Sequence, residues 1–236
     1  MSGNLSTPGD VASAPGRQTG NGRSGDADGF RGKWHNSAFG GSRLRAYWLS
    51  DPGKVMLTAF DSRGRMGLLD EAVQTAQATG NPIDIAATRR LRDRVGADLN
   101  LEQELAQDLG LFARAGHSAG NVETYEFTDI DRTVAAGLSL KGSRWARGDD
   151  TVGLAGIVSG ISAARERYLN AGGLGVLIGD GRLPHPGPER ILETYYSVGM
   201  VPQAHVSFDY QFVENPAYNR DRGPVSIFAV RVHAEF

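Results

Sequence analysis

The chain has 236 residues and nearly balanced charge, 25 Lys+Arg against 27 Asp+Glu, whereas a general nucleic-acid binder is normally basic. It has no cysteine, which rules out a disulfide framework or a thiolate metal site. No run of about 18 apolar residues exists, so a transmembrane helix is excluded. The mean hydropathy of -0.33 still leaves a membrane β-barrel open, because barrel strands need apolar residues only at alternate positions.

Residues 1–33 are rich in Gly, Ser, Pro and Asp and hold too little apolar surface to fold alone, which predicts a disordered leader. They contain no apolar core of the kind a secretory signal needs. Residues 34–236 read as one β-rich unit. Gly41 to Leu49 sets Leu44, Ala46 and Trp48 against Arg43, Arg45 and Tyr47, and Ser50-Asp51-Pro52-Gly53 supplies a tight turn. Lys54 to Arg65 is the next strand. There Val55, Leu57 and Ala59 share a face with Arg63 and Arg65, so either a bulge intervenes or the arginines clear the apolar band.

From Met66 to Thr79 the period changes: Leu69, Ala72, Val73 and Ala76 recur at helical spacing, and Gly80-Asn81-Pro82 supplies the stop. Taken alone, such a helix also fits the core of a soluble α+β domain. Leu91 to Leu105 carries Leu91, Val95, Ala97, Leu99, Leu101 and Leu105 on one parity, with Asp93 and Gln103 as exceptions. Arg92, Arg94, Gly96, Asp98, Asn100, Glu102 and Glu104 occupy the other. Gln107 to Gly110 turns the chain, and in Leu111 to Ser118 Arg114 opposes Leu111, Ala113 and Ala115.

Ala119 to Ile130 is a polar connection. Val134, Ala136, Leu138 and Leu140 then alternate with Thr133, Ala135, Gly137, Ser139 and Lys141. Gly142 to Asp149 turns, Val152 to Val158 is a further strand, and residues 161–188 form the longest connection. Glu189 to Val198 sets Leu192, Tyr196 and Val198 against Glu193, Tyr195 and Ser197. Met200 to Gln203 is a turn, and His205 to Phe212 alternates His205, Ser207, Asp209 and Gln211 with Val206, Phe208, Tyr210 and Phe212. After Glu214 to Gly223 the final strand puts Phe228, Val230, Val232, Ala234 and Phe236 on one side and Arg231, His233 and Glu235 on the other.

The count is about nine strands, with short turns at one end and longer connections at the other, the asymmetry of outer-membrane barrels. A ten-residue strand rises about 33 Å and, tilted near 45°, covers roughly 24 Å, close to the apolar band of such a barrel. Neither the glycine runs at Gly172-Gly173-Leu174-Gly175 and Gly179-Asp180-Gly181 nor the spacing of His185, His205 and His233 matches a phosphate loop or a metal site, and no cofactor is expected.

Several stretches in one order carry a resemblance: Arg147-Gly148-Asp149-Asp150-Thr151-Val152-Gly153-Leu154-Ala155, Tyr168-Leu169-Asn170-Ala171-Gly172-Gly173-Leu174-Gly175, Glu193-Thr194-Tyr195-Tyr196-Ser197, and Asn215-Pro216-Ala217-Tyr218-Asn219-Arg220-Asp221-Arg222-Gly223-Pro224 with the ending His233-Ala234-Glu235-Phe236. Over about residues 40–236 the chain resembles the carbohydrate-selective porins of the OprB family. The resemblance implies an all-β, antiparallel transmembrane β-barrel in the cell outer membrane, of the roughly 16-stranded porin type, with short helices in long outer loops. The present strands would form its C-terminal half, so a truncated gene product, a wrongly started reading frame or a barrel fragment is expected.

Such a protein is no enzyme. Its implied partners are carbohydrates, outer-membrane lipid, the barrel-assembly machinery and further copies of itself. Parity then marks Arg43, Arg45, Arg92, Arg94, Asp98, Glu102, Arg114, Glu193, Tyr195, His205 and Asp209 as channel-lining candidates, since sugar hydroxyls exchange hydrogen bonds with such groups. Phe228, Val230, Val232 and Phe236 form the expected assembly signal, and Phe208, Tyr210, Phe212, Phe228 and Phe236 are expected to face lipid or form interfacial girdles. A soluble β-rich sugar-binding module and an outer-membrane polysaccharide exporter are the alternatives.

Overall fold

The strands follow one another in space as they do in sequence, because each is joined to the next by a connection that reverses the chain. The structure, a computed structural model, describes residues 37–44 (backbone), 53–124, 129–175 and 182–235. Among these residues nine strands, β1 (Ser37–Leu44), β2 (Gly53–Met66), β3 (Arg90–Ala106), β4 (Leu109–Ser118), β5 (Arg132–Lys141), β6 (Thr151–Gly160), β7 (Glu189–Val201), β8 (Ala204–Glu214) and β9 (Val225–Ala234), pair antiparallel in that order. The sheet is open, with β1 and β9 at its edges. Two helices, α1 (Leu69–Thr79) and α2 (Ala163–Asn170), lie in the connections β2–β3 and β6–β7. Among the described residues no helix is long and apolar enough to cross a membrane.

Register explains why the alternation survives across the sheet. Leu57 pairs with Leu99, Leu99 with Ala115, Ala115 with Val134 and Val134 with Val158, so one outward row crosses five strands without a change of face. A one-residue slip would turn every apolar group inward. The strands β2 and β3 pair without interruption, so no bulge separates Ala59 from Arg63. Arg63 instead stays on the outward face and meets Asp93 at 3.4 Å, both near the loop ends of these long strands. Register shifts occur only beside two short turns, at Glu104/Ala106 and Gly199/Val201.

The first strand begins at Ser37, ahead of the alternation in 41–49, and residues 45–52, Arg45 among them, fall outside the described residues. The segment expected to turn at Met200 to Gln203 continues as strand to Val201, leaving Pro202 and Gln203 as the turn. Within the connection 161–188, Ser162 caps α2 by accepting from the Arg165 backbone N–H. The leader 1–33 lies outside the described residues.

The long connections all emerge at one end and pack there. Leu69, Ala72 and Val73 of α1 meet Ile161, Ala164, Tyr168 and Leu169 around α2, joined by Leu183 and Tyr218 from the later connections. This is the one apolar core among the described residues. It explains why Leu69 and Ala72, unlike the leucines of the strands, are almost fully shielded from solvent. Under it lies a charged knot. Arg165, 3% exposed, donates Nε to Asp131 at 3.0 Å, Nη1 to Asp129 at 3.0 Å and Nη2 to the Val122 carbonyl at 3.2 Å. Burial of three charges is tolerated because each finds partners.

Candidate functional site

The inward face begins with the even-numbered residues of β2 and β3. Lys54 pairs with Glu102 at 2.9 Å, Asn100 lies opposite Arg114, and Asp98 reaches over Gly116, whose missing side chain leaves the room. The Arg114 guanidinium stands 5.4 Å above the Phe112 ring, a cation–π contact that holds it against the wall. Farther round, Tyr195 lies across Gly153 and Phe112 across Gly137, so glycines on the polar parity make room for flat rings laid along the sheet. That arrangement leaves the surface low and wet rather than filled.

Toward β9 the same face forms a groove of about 510 Å³ lined by Glu193, Tyr195, Asp209, Gln211 and Arg231. Gln211 donates Nε2 to Glu193 at 3.0 Å, and Ser207 donates to Ser197 at 3.0 Å. Carboxylates, an amide, hydroxyls and a guanidinium thus stand together with an aromatic ring. This set offers acceptors, donors and a stacking surface at once, the requirements for passing contact with a polyol.

Of the residues marked by parity, Asp98, Glu102, Arg114, Glu193, Tyr195, His205 and Asp209 sit on this face. Arg43 occupies the register position opposite Met56, on the same side. Arg92 and Arg94 also point inward but are not open wall groups. Arg92 donates to Glu71 of α1 at 2.9 Å, and Arg94 donates to Ser118 at 2.8 Å and approaches Asp131 at 3.4 Å. With Arg90, which donates to the other Glu71 oxygen at 2.8 Å, they tether the helical connections to the inner side of the sheet. Parity could not reveal this, because the partners belong to connections whose path it does not encode. Arg165, Asp129 and Asp131 carry no periodic signal and were missed for the same reason.

At the short-turn end, outside the strands, Asp150 accepts from Arg147, from the Tyr196 hydroxyl and from the Gly199 N–H at 3.0 Å. The Arg147 hydrogen bond, helped by those of Tyr196 and Gly199, holds its carboxyl at about 2, against burial, which acts the other way. Arg147 is raised in turn, chiefly by its hydrogen bond to Asp150. At the loop end burial raises the Tyr168 and Tyr218 phenols.

The register sets His205 directly opposite His233, which spacing alone did not anticipate, yet no cluster of three or more metal-ligating side chains exists among the described residues. On the outward face Phe208, Tyr210, Phe212, Phe228, Val230 and Val232 stand together, with the Tyr210 and Phe228 rings 4.9 Å apart. Phe236 lies outside the described residues.

Comparison with protein families finds a match over residues 11–236 to the family described as carbohydrate-selective porin, OprB family. The chain belongs to the OprB family. The match begins inside the segment read as a leader, and the family is one of transport channels rather than enzymes. Among solved structures, OprB of Pseudomonas putida, determined at high pH, is similar with a TM-score of 0.69 and 16% identity. The similarity covers 85% of this chain and 48% of that one, so the OprB-family chain described here spans about half the length of the solved porin. No curated protein matches.

Proposed function

We propose that this chain forms part of the wall of an outer-membrane channel through which sugars diffuse passively. The observation that carries the reading is the polar face that the register keeps on one side of the sheet, from Lys54 and Glu102 on β2 and β3 to Asp209 and Arg231 on β8 and β9, backed on the opposite side by exposed apolar groups. A soluble module would not leave Phe228 79% exposed and Val232 73% exposed beside one another, whereas hydrocarbon accepts them. Asp98, Glu102, Arg114, Glu193, Tyr195, His205 and Asp209, with Arg43, line the passage. Arg92 and Arg94 hold the helical connections at its mouth.

Unpaired strand edges in hydrocarbon cost several kcal/mol per polar group, so a working pore requires β1 and β9 to pair with further strands. Phe228, Val230 and Val232 serve as the assembly signal read by the barrel-assembly machinery. The test is planar-bilayer conductance of the detergent-purified full chain, alone and with a co-refolded amino-terminal barrel half supplied from a full-length relative. Ion current that falls on adding neutral sugar is the expected result. A sugar-insensitive current, or none in either arrangement, would remove the transport reading.

A further inference from the structure

The outward face carries one basic site that the protein itself leaves unanswered. Arg132 and His117 are directly opposed across β5 and β4, both on the lipid-facing parity and both at the loop end of their strands. The Arg132 side chain lies along the outward side of β6, its Nε 2.7 Å from where a Cβ on Gly160 would stand, so the missing side chain makes its seat. Two other arginines on this face are answered by carboxylates, Arg63 by Asp93 at 3.4 Å and Arg190 by Glu214 at 3.0 Å. Among the described residues neither Arg132 nor His117 has such a partner. The adjacent Asp131 is turned away and consumed by Arg165.

Beneath the pair, toward the middle of the sheet, lies a groove of about 410 Å³ whose outward floor includes Leu57, Leu99, Val134 and Val158. A guanidinium over an apolar surface bordering hydrocarbon is unfavourable unless an anion meets it. The loop end of such a barrel faces the outer leaflet. We propose that this groove binds a phosphorylated, multiply acylated glycolipid of the outer leaflet. A phosphate sits on Arg132 and His117, and acyl chains lie over the leucine and valine floor. Arginine matches phosphate through paired donors, and the floor supplies the area that a free phosphate cannot use. The inference rests on the outward face being in lipid but not on what the channel conducts.

The experiment uses the full chain in neutral detergent micelles, titrated with bisphosphorylated lipid A, its dephosphorylated form and inorganic phosphate, with adducts counted by native mass spectrometry. Wild type is expected to retain lipid A, to bind the dephosphorylated lipid more weakly and to ignore inorganic phosphate. Arg132→Gln should weaken lipid A binding roughly tenfold or more, the scale of one charge-assisted hydrogen bond, while Arg63→Gln, which changes a paired arginine on the same face, should not. Equal binding by Arg132→Gln, equal binding of both lipids, equal loss in Arg63→Gln, or self-association that displaces lipid from the groove would each overturn the proposal. Retained sugar-sensitive conductance with lost lipid binding would separate this site from the channel.

Discussion

Removing the guanidinium of Arg165 is expected to loosen the loop end without dissolving the sheet. The substitution Arg165→Met keeps much of the length and apolar stem but takes away four hydrogen bonds, to Asp131 twice, to Asp129 and to the Val122 carbonyl. Asp131, 2% exposed in its side chain, would lose its main partner, and Asp129, 3% exposed, would lose the guanidinium while keeping the Thr124 hydroxyl at 3.3 Å. Asp131 keeps only the Ser162 N–H at 2.8 Å and a long contact to Arg94. Breaking a buried ion cluster in this way costs about 3–5 kcal/mol. Because β2 to β9 are held by their own ladders, the loss falls on the connections.

Hydrogen exchange of the micelle-embedded chain over 119–124, 129–131 and 161–175 reads it, as faster exchange by roughly two to four orders of magnitude. The triple variant Arg165→Met with Asp129→Asn and Asp131→Asn should recover much of the protection, since removing a whole buried cluster costs less than orphaning its members. Unchanged exchange in the single variant, or a triple variant less protected than the single, would refute the reasoning.

Three further outcomes follow from the geometry. Val230→Arg places a charge on the lipid face and should cost about 2–4 kcal/mol in urea unfolding from vesicles if it sits near the midplane, whereas Ala229→Arg, one residue away in the wet groove, should cost far less. Because the Asp150 carboxyl is depressed to about 2 from its ordinary 3.8, its contribution is present above pH 3.8 and is lost as pH falls from there toward 2; Asp150→Asn should flatten that part of the stability-versus-pH curve measured by protease resistance of the 142–150 turn. Gly153→Ala sets a Cβ 2.2 Å from the Tyr195 ring and should destabilise by about 1–3 kcal/mol in equilibrium unfolding, with Tyr195→Ser in the same chain relieving the clash.

Most of the sheet is legible in the sequence because a period of two is a property of the extended backbone itself. Leu91, Val95, Leu99 and Leu101 announce their face, and with it the opposite placement of Asp98 and Glu102, before any partner strand is known. The phase of Arg63 was left open by sequence alone, and only the unbroken pairing with β3 and the Asp93 contact decided it. The helix α1 is visible in the spacing of Leu69, Ala72 and Val73, whereas α2 has only eight residues and little apolar periodicity, so its Ser162 cap is recognisable only once folded.

What sequence by itself determined, then, is which side of each strand is greasy and which is wet, since neighbouring residues on an extended chain must point oppositely. Which inward arginines are spoken for was decided by tertiary structure. Arg92 meets Glu71 from 21 residues away and Arg94 meets Asp131 from 37, distances over which the folding of the connections, and no local rule, brings charges together. The same holds for Arg132 outside, whose bareness appears only after Asp131 is seen committed to Arg165.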